Sequence, residues 1–194
     1  MMKYLQRLGR SLMLPVAVLP VAAILMGIGY WIDPNGWGSG NVLSAFLIKA
    51  GSSILDNLGI LFAVGIAFGM TKEKDGSAAI SGLVAFLVVT IMLAPGSVAL
   101  LQGVDVADVS DAFTKIDNAF IGILSGLVAA GLFNRFSNIK LPDFLAFFSG
   151  KRFVPIITSI VMLAVTGILF YVWPIYLNLE ITTYMFLYDC LSLN

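Results

Sequence analysis

The sequence predicts an all-α, polytopic membrane protein with about five transmembrane helices and an amphipathic helix at the interface. Three observations carry that expectation. Of 194 residues, 59% are hydrophobic and 11% charged, with mean hydropathy +0.98, whereas soluble domains carry about 25% charged residues. Long, even apolar runs such as Phe120 to Phe133 and Phe153 to Trp173 exceed what a small soluble core uses. The basic residues cluster in alternate loops between these runs, as the rule that Lys- and Arg-rich short loops stay inside requires. Net charge is zero, so neither nucleic acid nor an acidic partner is implied. With Cys190 alone and no histidine, the chain has no disulfide framework, paired-cysteine metal site or histidine-based catalysis.

The connector Asn134 to Pro155, NRFSNIKLPDFLAFFSGKRFVP, orients everything else. Arg135, Lys140, Lys151 and Arg152 lie where apolar runs would leave a bilayer, which places the connector inside. The N-terminal MMKYLQRLGR carries Lys3, Arg7 and Arg10 ahead of Ser11 to Ile32, a run long enough to span rather than to serve as a signal-peptide core of roughly 7 to 15 residues. It is the first span, N-terminus inside, with Pro15 and Pro20 as packing kinks. Trp31, Asp33, Pro34, Asn35, Gly36 and Trp37 form an outer turn, the tryptophans suited to the headgroup level.

Asn41 to Met70 divides into NVLSAFLIKAGSSILDN, suited to the interface or to another protein surface, and LGILFAVGIAFGM, a short span; the alternative is one long tilted helix. Lys72 and Lys74 place the loop Thr71 to Gly76 inside. Ser77 to Leu101 is charge-free and forms the third span, with Pro95 and Gly96 as the place for a break. Asp105, Asp108, Asp111 and Asp117 against Lys115 put the next loop outside, and its spacing lacks the central Gly and terminal Glu of a calcium loop.

Asn118 to Phe133 is the fourth span, with Gly122, Gly126 and Ala130 on one face, where small residues let helix backbones approach. Phe153 to Trp173 is the fifth, ending outside at Tyr171, Trp173 and Pro174. In this topology Lys3, Arg7, Arg10, Lys72, Lys74, Arg135, Lys140, Lys151 and Arg152 are inside and only Lys115 lies in an outer loop. Residues 175–194, IYLNLEITTYMFLYDCLSLN, contain no Gly, Ala or Val although the preceding residues are full of them. That shift fits either an ordinary apolar helix or an out-of-frame tail.

RLGRSLMLPVAVLPVAAILMGIGYW (Arg7 to Trp31), ILDNLGILFAVGIAFGMTKEKDGSAA (Ile54 to Ala79) and NRFSNIKLPDFLAFFSGKRFVPI (Asn134 to Ile156) together resemble the N-terminal half of the membrane domain, enzyme IIC, of the glucose and N-acetylglucosamine group of bacterial phosphoenolpyruvate-dependent sugar phosphotransferase permeases. MGIGYWIDPNGWG and LPDFLAFFSGKRFVPI look most like the N-acetylglucosamine-specific members. The resemblance implies a homodimeric multi-pass permease of the bacterial inner membrane, N-terminus cytoplasmic. A IIB phosphocarrier domain would phosphorylate the sugar at its 6-hydroxyl as it arrives.

The family's Gly-Leu-His-His and Gly-Thr-Glu-Pro type motifs are absent here. Residues 1–174 are therefore expected to be a partial domain, its scaffold and dimerisation half, with 175–194 an out-of-frame tail. Such a chain is expected to be inactive alone. A glucose- or maltose-type permease and a half-size, non-enzymatic membrane assembly module are the alternatives. No catalytic residue, metal ligand or cofactor is assigned. Asp56 and Asn57, polar near membrane depth, are substrate-binding candidates, either lining the polar path or bonding across helices. Lys49, two turns before Asp56, is a candidate charge partner. Lys151 and Arg152 are candidates for docking IIB, against the simpler role of anchoring topology.

Overall fold

Prolines and asparagines set where the helices begin and bend. The computed structural model describes residues 2–34, 40–139, 142 and 147–192, with 180–192 as backbone. Asn35, Gly36 and Trp37 of the expected outer turn, Lys140 of the connector and the Cys190 side chain lie outside the described residues. Helix α1 (Met2–Val16) stops where Pro20, lacking an N–H and clashing with the carbonyl four residues back, prevents continuation, and α2 (Leu19–Ile32) starts with that proline in its first turn. Asn41 caps α3 (Val42–Asp56), its Oδ1 accepting from the Leu43 N–H at 2.9 Å. At Asn57 the path bends into α4 (Leu58–Met70). Asp75 caps α5 (Gly76–Met92), and Pro95 opens α6 (Pro95–Gln102).

Two short 3-10 turns, Val106–Asp108 and Asp111–Lys115, lead to α7 (Ala119–Phe136), capped by Asn118. A further 3-10 turn, Gly150–Arg152, enters α8 (Phe153–Ser192). Every regular element among the described residues is helical. Met2–Ile32, Ala119–Phe136 and Gly150–Leu179 are each long and apolar enough to cross a membrane, and the pairs α3–α4 and α5–α6, bent by 49° and 57°, raise the number to five if each pair is one span. Both readings of Asn41 to Met70 are thus half met: the stretch is two helices, but they join at one bend.

α4 is the central helix, packed on α1, α5 and α7. Its Gly59, Ala63 and Ala67, four residues apart, are buried, as are Gly122, Gly126, Ala129 and Ala130 of α7. The two backbones approach so closely that a Cβ at Gly126 would stand 2.8 Å from the Ala63 carbonyl oxygen, and one at Gly122 would collide with the Gly59 carbonyl. On its other sides α4 meets Gly82 of α5 through Ala63 and Ala67, and Ser11 and Pro15 of α1 through Gly69 and Gly65. α2 and α3 form a second pair, closed by the Ser44 hydroxyl donating to the Gly29 carbonyl at 2.7 Å.

The fifth span differs from expectation at its far end. α8 passes through Pro174 without ending, and Trp173, placed by the sequence at the outer end of the span, is 3% exposed. Its indole N–H donates to the Ala112 carbonyl at 2.8 Å, and its ring stacks near Phe120 and Tyr176. A tryptophan is buried when its N–H finds a partner, and the 3-10 turn Asp111–Lys115 supplies that carbonyl. Leu177, inside the 175–194 stretch, packs in the same core.

Substituting Gly126→Leu is expected to cost at least about 1–3 kcal/mol through overpacking, lowering the thermal midpoint in detergent. Gly131→Leu, on the exposed side of the same helix with open space at its Cβ, is expected to leave the midpoint nearly unchanged. Equal shifts would show that the α4–α7 approach is not what limits stability.

Candidate functional site

Apart from hydroxyls buried between the helices, most polar side chains that are site candidates lie at the two ends of the bundle. At the basic end, the close of α7 is tied to the loop between α4 and α5. Asn134 Nδ2 donates to the Met70 carbonyl at 3.2 Å, and its Oδ1 accepts from the Lys72 N–H at 2.8 Å. One side chain thus satisfies a carbonyl left open by the end of α4 and the N–H that follows. Beside it, Lys151 Nζ stands 3.0 Å from Glu73 Oε2 and 3.1 Å from Asp75 Oδ2. Asp75 Oδ1 accepts from both the N–H and the hydroxyl of Ser77. Those Ser77 bonds first, and then Lys151, hold the Asp75 carboxyl down from 3.8 to about 2.

Gly150, with φ of 71°, occupies the left-handed region that glycine adopts without strain. Its N–H bonds the Ile139 carbonyl at 2.9 Å. That turn presents Lys151 to the acidic loop and leaves Arg152 outward. The Arg152 guanidinium lies 5.2 Å from the centre of the Phe147 ring. The two docking candidates therefore separate: Lys151 is engaged by two carboxylates, while Arg152 is exposed on the connector itself.

Asp56 and Asn57 lie at the opposite end of α4, about 20 Å away by the rise of that helix. Both are exposed. Asn57 Nδ2 donates to the Ser53 carbonyl at 2.7 Å, within the bend where helical bonding is interrupted. Lys49 and Asp56, a candidate charge pair, are not joined by an ion pair among the described residues. Two helical turns separate their backbones by about 10 Å, and both side chains extend into open surroundings.

The acidic end also holds an open cleft of about 690 Å³ at the α5–α6 break, where Thr90, Ser97, Thr114 and Asp117 supply its polar groups. Partial burial there holds the Asp117 carboxyl above its ordinary range. Among the described residues no group of three or more Asp, Glu, His or Cys converges as metal ligands would.

Sequence reasoning missed Asn134, Glu73 and Asp75. The signal for Asp75 was present, an aspartate one residue ahead of a charge-free helical run, which is an N-cap position. Asn134, at the close of an apolar helix, offered no comparable signal.

The sequence profile described as phosphotransferase system, EIIC, matches residues 9–189. The PTS system N-acetylglucosamine-specific EIICBA component of Escherichia coli (strain K12) is 43% identical over 171 residues, covering 88% of this chain and 23% of that protein. The N-acetylglucosamine-specific EIICB component of Bacillus subtilis (strain 168) is 37% identical over 174 residues, 90% of this chain and 33% of that protein. The EIICBA component of Klebsiella pneumoniae with the same specificity is 41% identical over 172 residues, 88% of this chain and 23% of that protein. The chain thus spans between about a quarter and a third of the length of these relatives.

Because the Asp75 carboxyl is lowered, the stability it contributes is fully present above its ordinary value of 3.8 and is lost as pH falls toward about 2. Hydrogen exchange at 147–152, corrected for intrinsic rates, should therefore hold from pH 7 to about 4 and rise only below that. Asp75→Asn keeps a competent cap but loses the ion pair. With these side chains partly exposed, it should cost no more than about 1 kcal/mol, and Asp75→Ala about 1 kcal/mol more. Indistinguishable Asn and Ala variants would remove the cap from this account.

Proposed function

Because this chain belongs to the phosphotransferase system EIIC family, we propose that it forms the scaffold half of a membrane component that takes up N-acetylglucosamine and delivers it for phosphorylation. The observation that carries the sugar assignment is the 37% to 43% identity to N-acetylglucosamine-specific proteins over 88% to 90% of the chain. The phosphoryl donor in this reading is a IIB domain. Phosphoryl transfer to a sugar hydroxyl needs positioned donors around the phosphate and a group to take the hydroxyl proton. The interior of the described bundle holds hydroxyls and no buried ionisable side chain. The chemistry is therefore assigned to segments beyond those matched here, and this chain is proposed to be inactive alone.

The orientation follows from charge. Lys72, Lys74, Arg135, Lys151 and Arg152 share one end of the bundle, and Ser11 packs level with Gly69 near that end, so the preceding Lys3, Arg7 and Arg10 belong to it as well. Lys115 lies in the acidic loop beyond α6. By the inside preference of basic loops, the basic end and the N-terminus are cytoplasmic in this reading. Arg152, outward on the connector, is the stronger of the two docking candidates for IIB, and Asp56 and Asn57 are assigned to the bend rather than to the sugar. The α2–α3 pair shows apolar side chains outward, among them Ile24, Ile28 and Phe46, a surface that suits lipid or a second copy.

Replacing the segment of an N-acetylglucosamine-specific relative that aligns with residues 9–174 of this chain by those residues should restore uptake of labelled N-acetylglucosamine in transport-deficient cells, with excess unlabelled glucose competing weakly. A chimera that inserts normally but prefers glucose would overturn the sugar assignment. Phosphorylation of sugar by the purified chain alone, given IIB and a phosphoryl donor, would overturn its assignment as scaffold.

A further inference from the structure

The first turns of α1 carry a cationic face that the bundle does not use. Lys3, Arg7 and Arg10 stand at i, i+4 and i+7, on one side of the helix. With Gln6 they line a groove of about 270 Å³. The packed side is elsewhere around the helix: Leu8 and Leu12 lie against Ile66, Met70 and Ala130, and Ser11 and Pro15 are buried. All three cations are exposed, and among the described residues the ion pairs belong to Lys151, so no carboxylate neutralises them.

The chemistry of the face changes within one turn. Leu14, four residues beyond Arg10 and on the same side, is 57% exposed, and its neighbour Met13 is 69% exposed. The change falls where α1 comes alongside α4, with Ser11 against Gly69. Read along the helix, the surface offers cations first and hydrocarbon next. A phospholipid offers the complement in the same order, phosphate and then acyl chain. An acidic soluble protein would meet the cations but leave Leu14 and Met13 uncovered at the aqueous edge, which disfavours it.

We propose that Lys3, Arg7 and Arg10, with Gln6, bind the phosphate headgroup of an anionic phospholipid whose acyl chain lies along Leu14. The two guanidinium groups match phosphate oxygens in bidentate geometry, and Lys3 adds a point charge. The site depends neither on the sugar carried nor on which leaflet holds the basic end.

The test titrates the purified full chain, in neutral detergent, with dioctanoyl-phosphatidylglycerol and in parallel with dioctanoyl-phosphatidylcholine, binding being read by native mass spectrometry. The glycerol lipid should bind at concentrations where the choline lipid does not. Lys3→Gln/Arg7→Gln/Arg10→Gln should weaken it by at least about tenfold, given a factor of about five per basic residue at an anionic surface. The charge-matched control Lys72→Gln/Lys74→Gln/Arg135→Gln should change it less than about twofold. Equal weakening by the two triple variants would reduce the site to general surface charge and overturn it. Equal binding of the two lipids would do the same, as would displacement of bound lipid by inorganic phosphate at the same concentration, which would mark a free-anion site. If the α1 triple variant loses its helical circular dichroism, Arg7→Gln alone reads the same face and should show about a fivefold loss; an unchanged affinity there overturns the proposal.

Discussion

The close approach of α4 and α7 is the constraint on which the rest of the bundle depends. Between helices in lipid there is little hydrophobic drive, since the hydrocarbon outside is as apolar as the side chains inside. Contact must instead come from close packing, and that requires small residues on both partners. Gly59 and Ala63 of α4 meet Gly122 and Gly126 of α7. With α4 held on that side, its remaining faces receive α5 at Gly82 and α1 at Ser11 and Pro15. Three of the five apolar paths are thereby fixed to one short helix. The α2–α3 pair is separate in this respect, since its closest approaches at Gly29 and Gly51 are internal to the pair.

That arrangement has an electrostatic counterpart at the basic end. Positive loops gathered together repel one another, and the structure relieves part of this by placing Glu73 and Asp75 against Lys151. The pair is partly exposed, so its worth in stability is small. Its consequence is positional: together with Asn134 it holds the α4–α5 loop and the connector in one layer. The α1 cations have no such partner, which separates charge used for internal alignment from charge left for an outside ligand.

Much of the fold was legible because lipid restricts the possibilities. Backbone polar groups must be satisfied within each segment, so apolar runs of spanning length read directly as helices. Pro95 marked the α5–α6 break, and the spacing of Gly122, Gly126 and Ala130 marked the buried face of α7. The matching face of α4 was equally regular but was read only as part of a short span. What sequence could not supply were contacts between residues far apart in the chain. Lys151 with Glu73, Asn134 with Met70, and Trp173 with Ala112 have no local pattern, because each depends on which loop the packed helices bring alongside. The pairing of Lys49 with Asp56 failed for the reverse reason: sharing a helix face does not bring side chains within reach across two turns.

The interior polar groups indicate how labour is divided in such a protein. Ser11, Ser81 and Thr166 each turn the hydroxyl back to the carbonyl four residues earlier on their own helix. Ser44 bonds across to Gly29, again to backbone. Hydroxyls committed in this way offer little to a sugar, whose own hydroxyls need free donors and acceptors in exchange for those lost from water. Rotating any of them toward a ligand would also expose a helix carbonyl in a medium without water, although that carbonyl keeps its ladder bond. Ser125 of α7 and Thr158 of α8 are exceptions: both hydroxyls are buried with no hydrogen-bond partner among the described residues, in a bundle otherwise closed by glycine and alanine contacts. The close glycine and alanine packing is what supports the proposed scaffold role, whereas the two unpartnered hydroxyls leave some polar capacity within the bundle core.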